Sequence, residues 1–380
     1  MAPYGLYIHV PFCSHLCHYC NFNRGLLEEP LKARYVSAVR AHIEQVAARL
    51  PDANPRLADT IYFGGGTPSL LAPAEIASII GSCRQAFDVA TDAEVTVEVN
   101  PETASPEALS GFRDAGVNRL SIGVQSFRDD ELLRLGRIHD QARARRAVGD
   151  ARAAGFDNIS IDLMMWLPGQ TVADWMQSVE GLLSVAPEHA SMYILELYPN
   201  APLREEIARA HLSQAPDEDA ADMYEVAMAM AEKGGLAQYE ISNVAVPGRE
   251  SKHNLKYWID GEWFGFGPGA HSTVGGVRWK ALSATEQFVS AIEAGSDVQR
   301  EKRVLSAEDR WQEALITGLR LVAGVEVEDL LTKYGLDLWG RYGDHLQPYL
   351  EAGLLRHEKG RIRLSRQGML LANEVLAVFI

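Results

Sequence analysis

Alternation of short apolar runs with helical patterns constrains the fold of this 380-residue chain more than any other feature. Turn residues close each run, and a segment with apolar residues at three- and four-residue steps follows. Six runs predict strands, at Leu6–Phe12, Thr60–Phe63, Val95–Val99, Arg119–Val124, Ile159–Met165 and Ser191–Leu197. The segments between them predict helices, at Leu31–Leu50, Pro73–Phe87, Pro106–Ala115, Asp140–Ala154 and Asp174–Val185. This order is typical of an α/β fold with a parallel sheet and crossover helices.

Polar residues at several strand ends favour a partial (β/α)6 TIM-like barrel over residues 1–200, with its site at the carboxyl ends of the strands. An open doubly wound sheet is the alternative. After about residue 200 the pattern changes, and we expect an α+β extension of the barrel over residues 201–300 and a small winged-helix-like domain over 301–380. The later elements are predicted as Asp217–Gly234 (helix), Gln238–Val244 (strand), Ala307–Val322 (helix), helices near Val327 and Gly343–Ala352, Leu354–Leu364 (hairpin) and Gln367–Phe379 (helix).

The charge balance excludes one class of partner. The chain has 36 Lys and Arg against 51 Asp and Glu, a formal net charge of −15, and a surface this acidic repels phosphate backbones. We therefore expect no nucleic-acid partner. No apolar run reaches the roughly 20 residues of a spanning helix, and the first ten residues carry neither a basic leader nor a secretory cleavage site. We therefore expect a cytoplasmic protein.

Three of the four cysteines lie within eight positions, directly after the first predicted strand: Cys13, Cys17 and Cys20. A tight, odd cluster in a cytosolic chain is typical of a metal site rather than a disulfide framework. A structural zinc ion takes four protein ligands, and the fourth could be His9, His15 or His18. An iron–sulfur cluster is the alternative, and a [4Fe–4S] cluster held by three thiolates leaves one iron open to an external ligand.

A glycine turn and a set of polar strand residues accompany the cysteines. The run Gly64-Gly65-Gly66-Thr67-Pro68 closes the second strand, and glycine lets a small ligand approach the backbone, although tight turns also use glycine for steric reasons. Because side chains alternate between the two sides of a strand, those of Glu98, Gln125 and Asp162, on three neighbouring strands, are expected to point to the same side of the sheet. The pattern predicts a polar barrel interior that either binds a polar ligand or is satisfied by internal hydrogen bonds.

Together these residues resemble the radical S-adenosylmethionine (SAM) superfamily and, within it, the coproporphyrinogen oxidase-related branch. The resemblance runs from Tyr7 to the C-terminal region and depends on the CxxxCxxC spacing with the Gly-Gly-Gly-Thr-Pro turn. It implies that Cys13, Cys17 and Cys20 ligate three irons of a [4Fe–4S] cluster and that SAM binds the fourth. It also implies a set of cofactor-contacting residues, namely Tyr7, Tyr19, Gly65, Gly66, Thr67, Glu98, Gln125, Arg137 and Asp162.

Within this branch the sequence is most similar to the heme chaperones of the HemW type. The oxygen-independent coproporphyrinogen III oxidase has a further cysteine where this chain has Phe22, and an N-terminal extension, so oxidase activity is the alternative rather than the expectation. The chaperones carry a His-Asn-x-x-Tyr-Trp motif, present here as His253–Trp258. The resemblance implies heme binding through His253, Tyr257 and Trp258, with His271 as the second candidate ligand.

The same resemblance implies delivery of heme to recipient hemoproteins, including respiratory ones reached by peripheral contact with a membrane.

Two residues stand apart from the pattern. Trp166 occupies a position where the family usually has glycine. It has the same position in the strand alternation as Asp162, so its ring is predicted to lie at the barrel mouth, against SAM, adenine or porphyrin. Cys83 lies in a helical pattern among isoleucines and is predicted to belong to the core. Without the resemblance, a histidine among aromatic residues such as His253 is more often a packed core residue.

Overall fold

The structure, a computed structural model, describes residues 2–50, 56–198, 202–209, 213–214 and 216–380. Its centre is a run of six strands, β1 (Tyr4–Val10), β2 (Leu57–Gly65), β3 (Asp88–Val99), β4 (Arg119–Gln125), β5 (Ile159–Met165) and β6 (His189–Ile194). The helices between and after them are α1 (Glu29–Ala48), α2 (Pro73–Ala86), α3 (Pro106–Asp114), α4 (Asp129–Arg134), α5 (Gln141–Ala153) and α6 (Val172–Ser184). All six predicted strands form, and the predicted helices form with boundaries shifted by at most a few residues.

The six strands are parallel and hydrogen-bonded in chain order, from β1 to β6. A doubly wound sheet would reverse its strand order at a switch point, and no reversal occurs within this run. The sheet curves as a partial barrel with two outer edges, as the sequence predicts. Apolar side chains on its outer face, such as Leu6, Ile8 and Val97, are fully buried against the helices.

The next segment extends the sheet on both sides. It contains α7 (Pro202–Arg209), α8 (Asp217–Lys233), β7 (Ala237–Gln238), β8 (Asn243–Ala245), α9 (Lys252–Trp258), β9 (Trp263–Phe266), β10 (His271–Val274), β11 (Val277–Ala281), α10 (Thr285–Glu293) and β12 (Gln299–Val304). β9 pairs parallel with β1 and continues into the antiparallel strands β10, β11 and β12, while β8 and β7 extend the sheet beyond β6.

The single strand predicted over Gln238–Val244 is wrong. The chain forms two short antiparallel strands there, because a turn intervenes at Glu240, whose buried carboxylate accepts hydrogen bonds from the Ser242 backbone N–H at 2.9 Å and from the Asn243 side chain. A fully buried carboxylate needs such donors, and they hold the turn closed.

The C-terminal elements follow as α11 (Ala307–Gly318), β13 (Val325–Glu326), α12 (Val327–Tyr334), α13 (Leu338–Glu351), β14 (Leu355–Glu358), β15 (Arg361–Leu364), α14 (Arg366–Leu370) and α15 (Ala372–Leu376). β13, β15 and β14 form a small antiparallel sheet. The predicted last helix is two short helices, because Leu371 leaves the helical conformation at φ −105°, ψ 25°. The predicted domain boundary near residue 200 lies outside the described residues. No described helix has the length and apolarity needed to cross a membrane.

Candidate functional site

A cavity of about 570 Å³ opens at the carboxyl ends of the barrel strands. Most of the side chains singled out in the sequence meet around it, although they come from six different segments. These are Cys13, Cys17, Tyr19, Cys20, Gly65, Gly66, Thr67, Glu98, Gln125, Arg137 and Asp162. The cavity therefore combines the cysteine loop, the glycine turn and the polar barrel interior in a single site.

The cysteine loop is fixed at both of its ends. Residues Phe12–Cys13 pair in parallel with Gly25–Leu26, which closes the loop. Inside it, the Arg24 guanidinium donates to the backbone carbonyl of Cys17 at 3.1 Å and to that of Cys20 at 2.7 Å. These bonds hold the second and third cysteines together on one side of the cavity while the first follows directly from the β1 segment.

The glycine turn packs directly against the first cysteine. The backbone N–H groups of Gly66 and Thr67 donate to the carbonyls of Val10 and Phe12, both at 2.7 Å. A Cβ on Gly66 would lie 2.6 Å from the Phe12 carbonyl oxygen and 3.1 Å from the Cys13 Sγ, so only glycine fits. Burial raises the pKa of the Cys13 thiol, and a hydrogen bond with Thr67 opposes that rise.

The donor set fits an iron–sulfur cluster. All three thiols are free of disulfide bonds, they surround one end of the cavity, and the rest of the cavity leaves space for a further ligand. No three described His, Cys, Asp or Glu side chains converge on a single metal-ion position. Thiolates are the usual ligands of iron–sulfur clusters, so Cys13, Cys17 and Cys20 are the residues that would hold one.

The histidines considered as a fourth zinc ligand are placed differently from one another. His9 is buried below the glycine turn, and both ring nitrogens are engaged, with the Asn23 carbonyl at 2.8 Å and the Tyr7 hydroxyl at 3.1 Å. At Gly65, with φ of +115°, a Cβ would lie 2.6 Å from the His9 ring. His9 is therefore a support for the turn. His15 is exposed and lines the cavity, and His18 packs against Gly136.

Two half-buried carboxylates line the cavity, those of Glu98 and Asp162. Glu98 accepts hydrogen bonds from the Tyr62 hydroxyl at 2.9 Å and from the Gly65 backbone N–H at 3.1 Å. Asp162 accepts from the Ser121 hydroxyl at 3.1 Å. Burial, followed by repulsion from Asp162, raises the pKa of Glu98 to about 7, and burial raises that of Asp162 to about 6. A cationic ligand beside them would relieve this repulsion.

A buried arginine links the cysteine loop to the barrel. The Arg137 guanidinium lies 3.4 Å from the Cys17 Sγ and donates to the Asn100 side chain at 2.9 Å and the Gly123 carbonyl at 3.0 Å. Glu102 lies 3.8 Å from it and also contacts His139 at 3.3 Å. Arg137 is thus an N–H donor to a cysteine sulfur, balanced by a nearby carboxylate.

Two strand ends carry non-glycine residues in the left-handed region. Gln125 has φ of 69°, and its side-chain oxygen accepts from the Tyr193 hydroxyl at 2.6 Å. Trp166 has φ of 62°, which explains why glycine suits this position. The prediction that the Trp166 ring lies at the barrel mouth is wrong: the positive φ ends the strand alternation, and the half-buried indole packs against the hydrophobic core instead of lining the cavity.

Four of the predicted cofactor residues do not line this cavity. Tyr7 is half-buried, and loss of solvent raises the pKa of its hydroxyl well above the usual value. His253 is 1% exposed. Tyr257 and Trp258 line a second cavity of about 310 Å³, together with His271. Cys83 is fully buried, and burial raises its pKa to about 12, in line with its assignment to the core.

The sequence reasoning missed several residues of the site. Arg119 is 1% exposed, lines the cavity, and lies close enough to Glu98 and Asp162 to lower the pKa of both. Its Nε–H has no acceptor among the described residues. Tyr62 and Asn100 also line the cavity. Strand alternation puts Arg119 on the same side of the sheet as Ser121 and Gln125, and Asn100 on the same side as Glu98, but alternation alone does not indicate that a charged residue at the start of a strand is buried.

The sequence matches known families along most of its length. The family model for the radical SAM superfamily matches residues 7–182, and that for the HemN C-terminal domain matches residues 305–371. The chain is 38% identical over 375 residues to the heme chaperone HemW of Bacillus subtilis, covering 98% of each chain. It is 34% identical to radical S-adenosyl methionine domain-containing protein 1, a mitochondrial protein of Bos taurus, covering 98% of this chain and 86% of the relative.

A solved structure supports the fold. The coproporphyrinogen III oxidase HemN of Escherichia coli, a radical SAM enzyme, superimposes with a TM-score of 0.86 at 23% identity, over 99% of this chain and 90% of that one. At this identity the similarity establishes the architecture alone.

Proposed function

The chain belongs to the HemW family of the radical SAM superfamily, and from this premise we propose that it binds heme and delivers it to hemoproteins. The observation that carries the proposal is the full-length similarity to proteins named heme chaperone, at 33–38% identity. Phe22, at the position of the additional cysteine expected for the oxidase, favours the same conclusion.

Membership of the superfamily implies a [4Fe–4S] cluster and SAM, and we propose that the 570 Å³ cavity holds both. Cys13, Cys17 and Cys20 would ligate three irons, which leaves the side that faces the cavity to SAM. When bound, such a cluster supplies electrons for reductive chemistry on SAM. The residues of the chain that line the cavity would position the ligand.

Specific residues of the cavity suit a ligand with the charges of SAM. The carboxylates of Glu98 and Asp162 would offset a sulfonium or an ammonium group, because both are half-buried beside each other and a cation would relieve their repulsion. Gly66 and Thr67 offer backbone that a methionine moiety can approach closely. Gln125, Arg137 and Arg119 supply polar groups for the remaining parts of the ligand.

Heme transfer tests the proposed function directly. We expect the anaerobically purified protein to bind heme stoichiometrically and to pass it to an apo-hemoprotein, seen as the growth of the recipient's own absorption bands. We propose respiratory hemoproteins, reached at a membrane surface, as recipients. A recipient that acquires heme at the same rate from free heme as from the loaded protein would contradict the chaperone function.

The alternative is an oxygen-independent coproporphyrinogen III oxidase, which would convert coproporphyrinogen III to protoporphyrinogen IX by radical decarboxylation. The structural similarity to HemN concerns the fold alone, and Phe22 replaces the cysteine expected for the oxidase. Incubation of the protein with reduced cluster, SAM and coproporphyrinogen III distinguishes the two functions. We expect no protoporphyrinogen IX, and its formation would favour the oxidase.

A further inference from the structure

We propose that heme binds in the 310 Å³ cavity between α9, the β9–β11 ribbon and α11, and that His271, rather than His253, is the accessible axial ligand. The inference rests on the proposed heme-binding function and names the site within the fold. It differs from the family motif, in which the histidine of His-Asn-x-x-Tyr-Trp is the expected ligand.

His253 has no free ring nitrogen. Its Nδ1 lies 2.8 Å from the Thr60 hydroxyl and its Nε2 lies 2.9 Å from the Tyr257 hydroxyl. The ring stacks on Tyr62 with centroids 5.1 Å apart. An iron ligand needs an accessible lone pair, and His253 would have to break at least one of these buried hydrogen bonds to provide it.

The helix that carries His253 is also held in place. The two carboxylate oxygens of Glu94 accept the backbone N–H groups of Lys252 and His253, at 3.2 and 3.1 Å. The Lys256 ammonium pairs with Asp59 at 2.7 Å and donates to the Pro3 carbonyl at 2.8 Å. These contacts fix both ends of α9 against the barrel, so the imidazole of His253 acts as a positioning group for Tyr257.

The 310 Å³ cavity has the chemistry that a porphyrin requires. Its volume lies at the lower end of the roughly 300–1,000 Å³ range of small-molecule sites, so a bound macrocycle keeps an exposed edge, as transfer to another protein requires. Tyr257 and Trp263 meet edge to face with centroids 4.7 Å apart, and with Trp258 they form an aromatic wall for stacking.

His271 is the imidazole at the rim of this cavity. It lies on β10, is exposed, and its backbone carbonyl accepts the Trp263 indole N–H at 3.0 Å. Partial burial, followed by the neighbouring Lys280 and Arg278 cations, lowers the pKa of His271, and Glu301 opposes them. The neutral imidazole, which can ligate iron, is therefore the prevailing form at neutral pH.

Two further groups suit the polar edge of heme. Arg278 is bound by Glu313 at 2.7 Å through both terminal nitrogens and by Thr273 at 3.0 Å, and it lines the cavity, where a propionate could exchange with Glu313 for the guanidinium. The Trp258 indole N–H is buried and has no acceptor among the described residues. A carboxylate or carbonyl of a ligand would supply one.

Single-histidine variants of the full-length, cluster-loaded protein test the assignment, with ferric protoporphyrin IX as the probe and the Soret band as the readout. We expect His271→Ala to weaken heme binding by about tenfold or more, equivalent to at least ~1.4 kcal/mol, and added imidazole to restore the wild-type spectrum. His253→Gln, which preserves hydrogen-bonding capacity, should leave the axial-ligand spectrum unchanged. His345→Ala, at an exposed position on α13, is the control.

The outcomes separate the site from the function. If the wild-type protein does not bind heme, the proposed function itself fails. If it binds heme and His271→Ala retains both the affinity and the spectrum, the site assignment is overturned while the function stands. The site assignment is also overturned if heme binding is lost in His253→Gln or in His15→Ala and added imidazole restores it. His15 is the exposed histidine of the larger cavity.

Discussion

Neutralising Glu98 should stabilise the ligand-free protein while weakening its affinity for SAM. The carboxylate is half-buried at the cavity wall, and its pKa is raised to about 7 by loss of solvent and by repulsion from Asp162. The change Glu98→Gln removes the buried charge but preserves an acceptor for the Tyr62 hydroxyl or the Gly65 N–H. Because loss of solvent destabilises only the charged form of Glu98, the gain in the free energy of unfolding from this substitution depends on pH.

The direction follows from proton binding. In the unfolded chain Glu98 ionises near its ordinary pKa of 4.5, whereas in the folded protein it keeps its proton up to about pH 7. Between these values the folded state binds more protons, so the wild-type protein loses stability as pH rises. Glutamine does not titrate. The variant should therefore match the wild type below pH 4.5 and exceed it by about 3 kcal/mol above pH 7.

Urea unfolding of the SAM-free protein between pH 4.5 and 8 measures this difference. The matched control is Glu44→Gln, at an exposed position in the C-terminal part of α1, for which we expect no comparable difference between the two pH values. SAM affinity, measured by calorimetry on the cluster-loaded variant, should fall because a cationic ligand loses a buried counter-charge. A Glu98→Gln advantage that is equal at pH 5 and pH 8, or shared by the control, would refute the burial argument.

Other substitutions test the remaining roles. Cys17→Ala should abolish the bound iron and acid-labile sulfide, whereas Cys83→Ala should leave both unchanged, as measured by metal and sulfide analysis. Arg137→Met should lower the reduction potential of the cluster, because the N–H···S bond from Arg137 stabilises the more negative reduced state. Loss of about 1.4 kcal/mol of that stabilisation corresponds to a shift of about 59 mV for one electron. An EPR redox titration measures the shift. Trp166→Gly should leave SAM affinity within about twofold of wild type in calorimetry, since the indole lies outside the cavity.

Local patterns in the sequence were sufficient to predict the barrel and much of its site. Alternation over Ile159–Met165 gave that strand with its observed bounds, and the same alternation assigned the facing of Glu98 and Asp162. The glycine turn could be predicted because the need for glycine is local. Gly65 has φ of +115°, and Gly65 and Gly66 both lie against atoms that leave no room for a Cβ.

Contacts between distant segments could not be predicted in this way. Arg119 begins a strand, where a charged residue is ordinarily solvated, and only closure of the barrel buries it beside Glu98. The environment of His253 depends on Thr60, which lies 193 residues away in the chain. The side chain of Trp166 gives no indication of its positive φ, and only the glycine usual at this position in the family points to it.

The position of α9 gives the His-Asn-x-x-Tyr-Trp motif a physical explanation that ligation by its histidine does not. Asn254 lines the larger cavity, whereas Tyr257 and Trp258 line the smaller one, so one seven-residue helix forms part of the wall of both. His253 and Tyr257 are four positions apart and therefore share a helix face, where their hydrogen bond joins the barrel interior to the aromatic wall. A histidine in this place holds the two sites in a fixed relation, because its two ring nitrogens bond Thr60 of the barrel and Tyr257 of the aromatic wall at the same time.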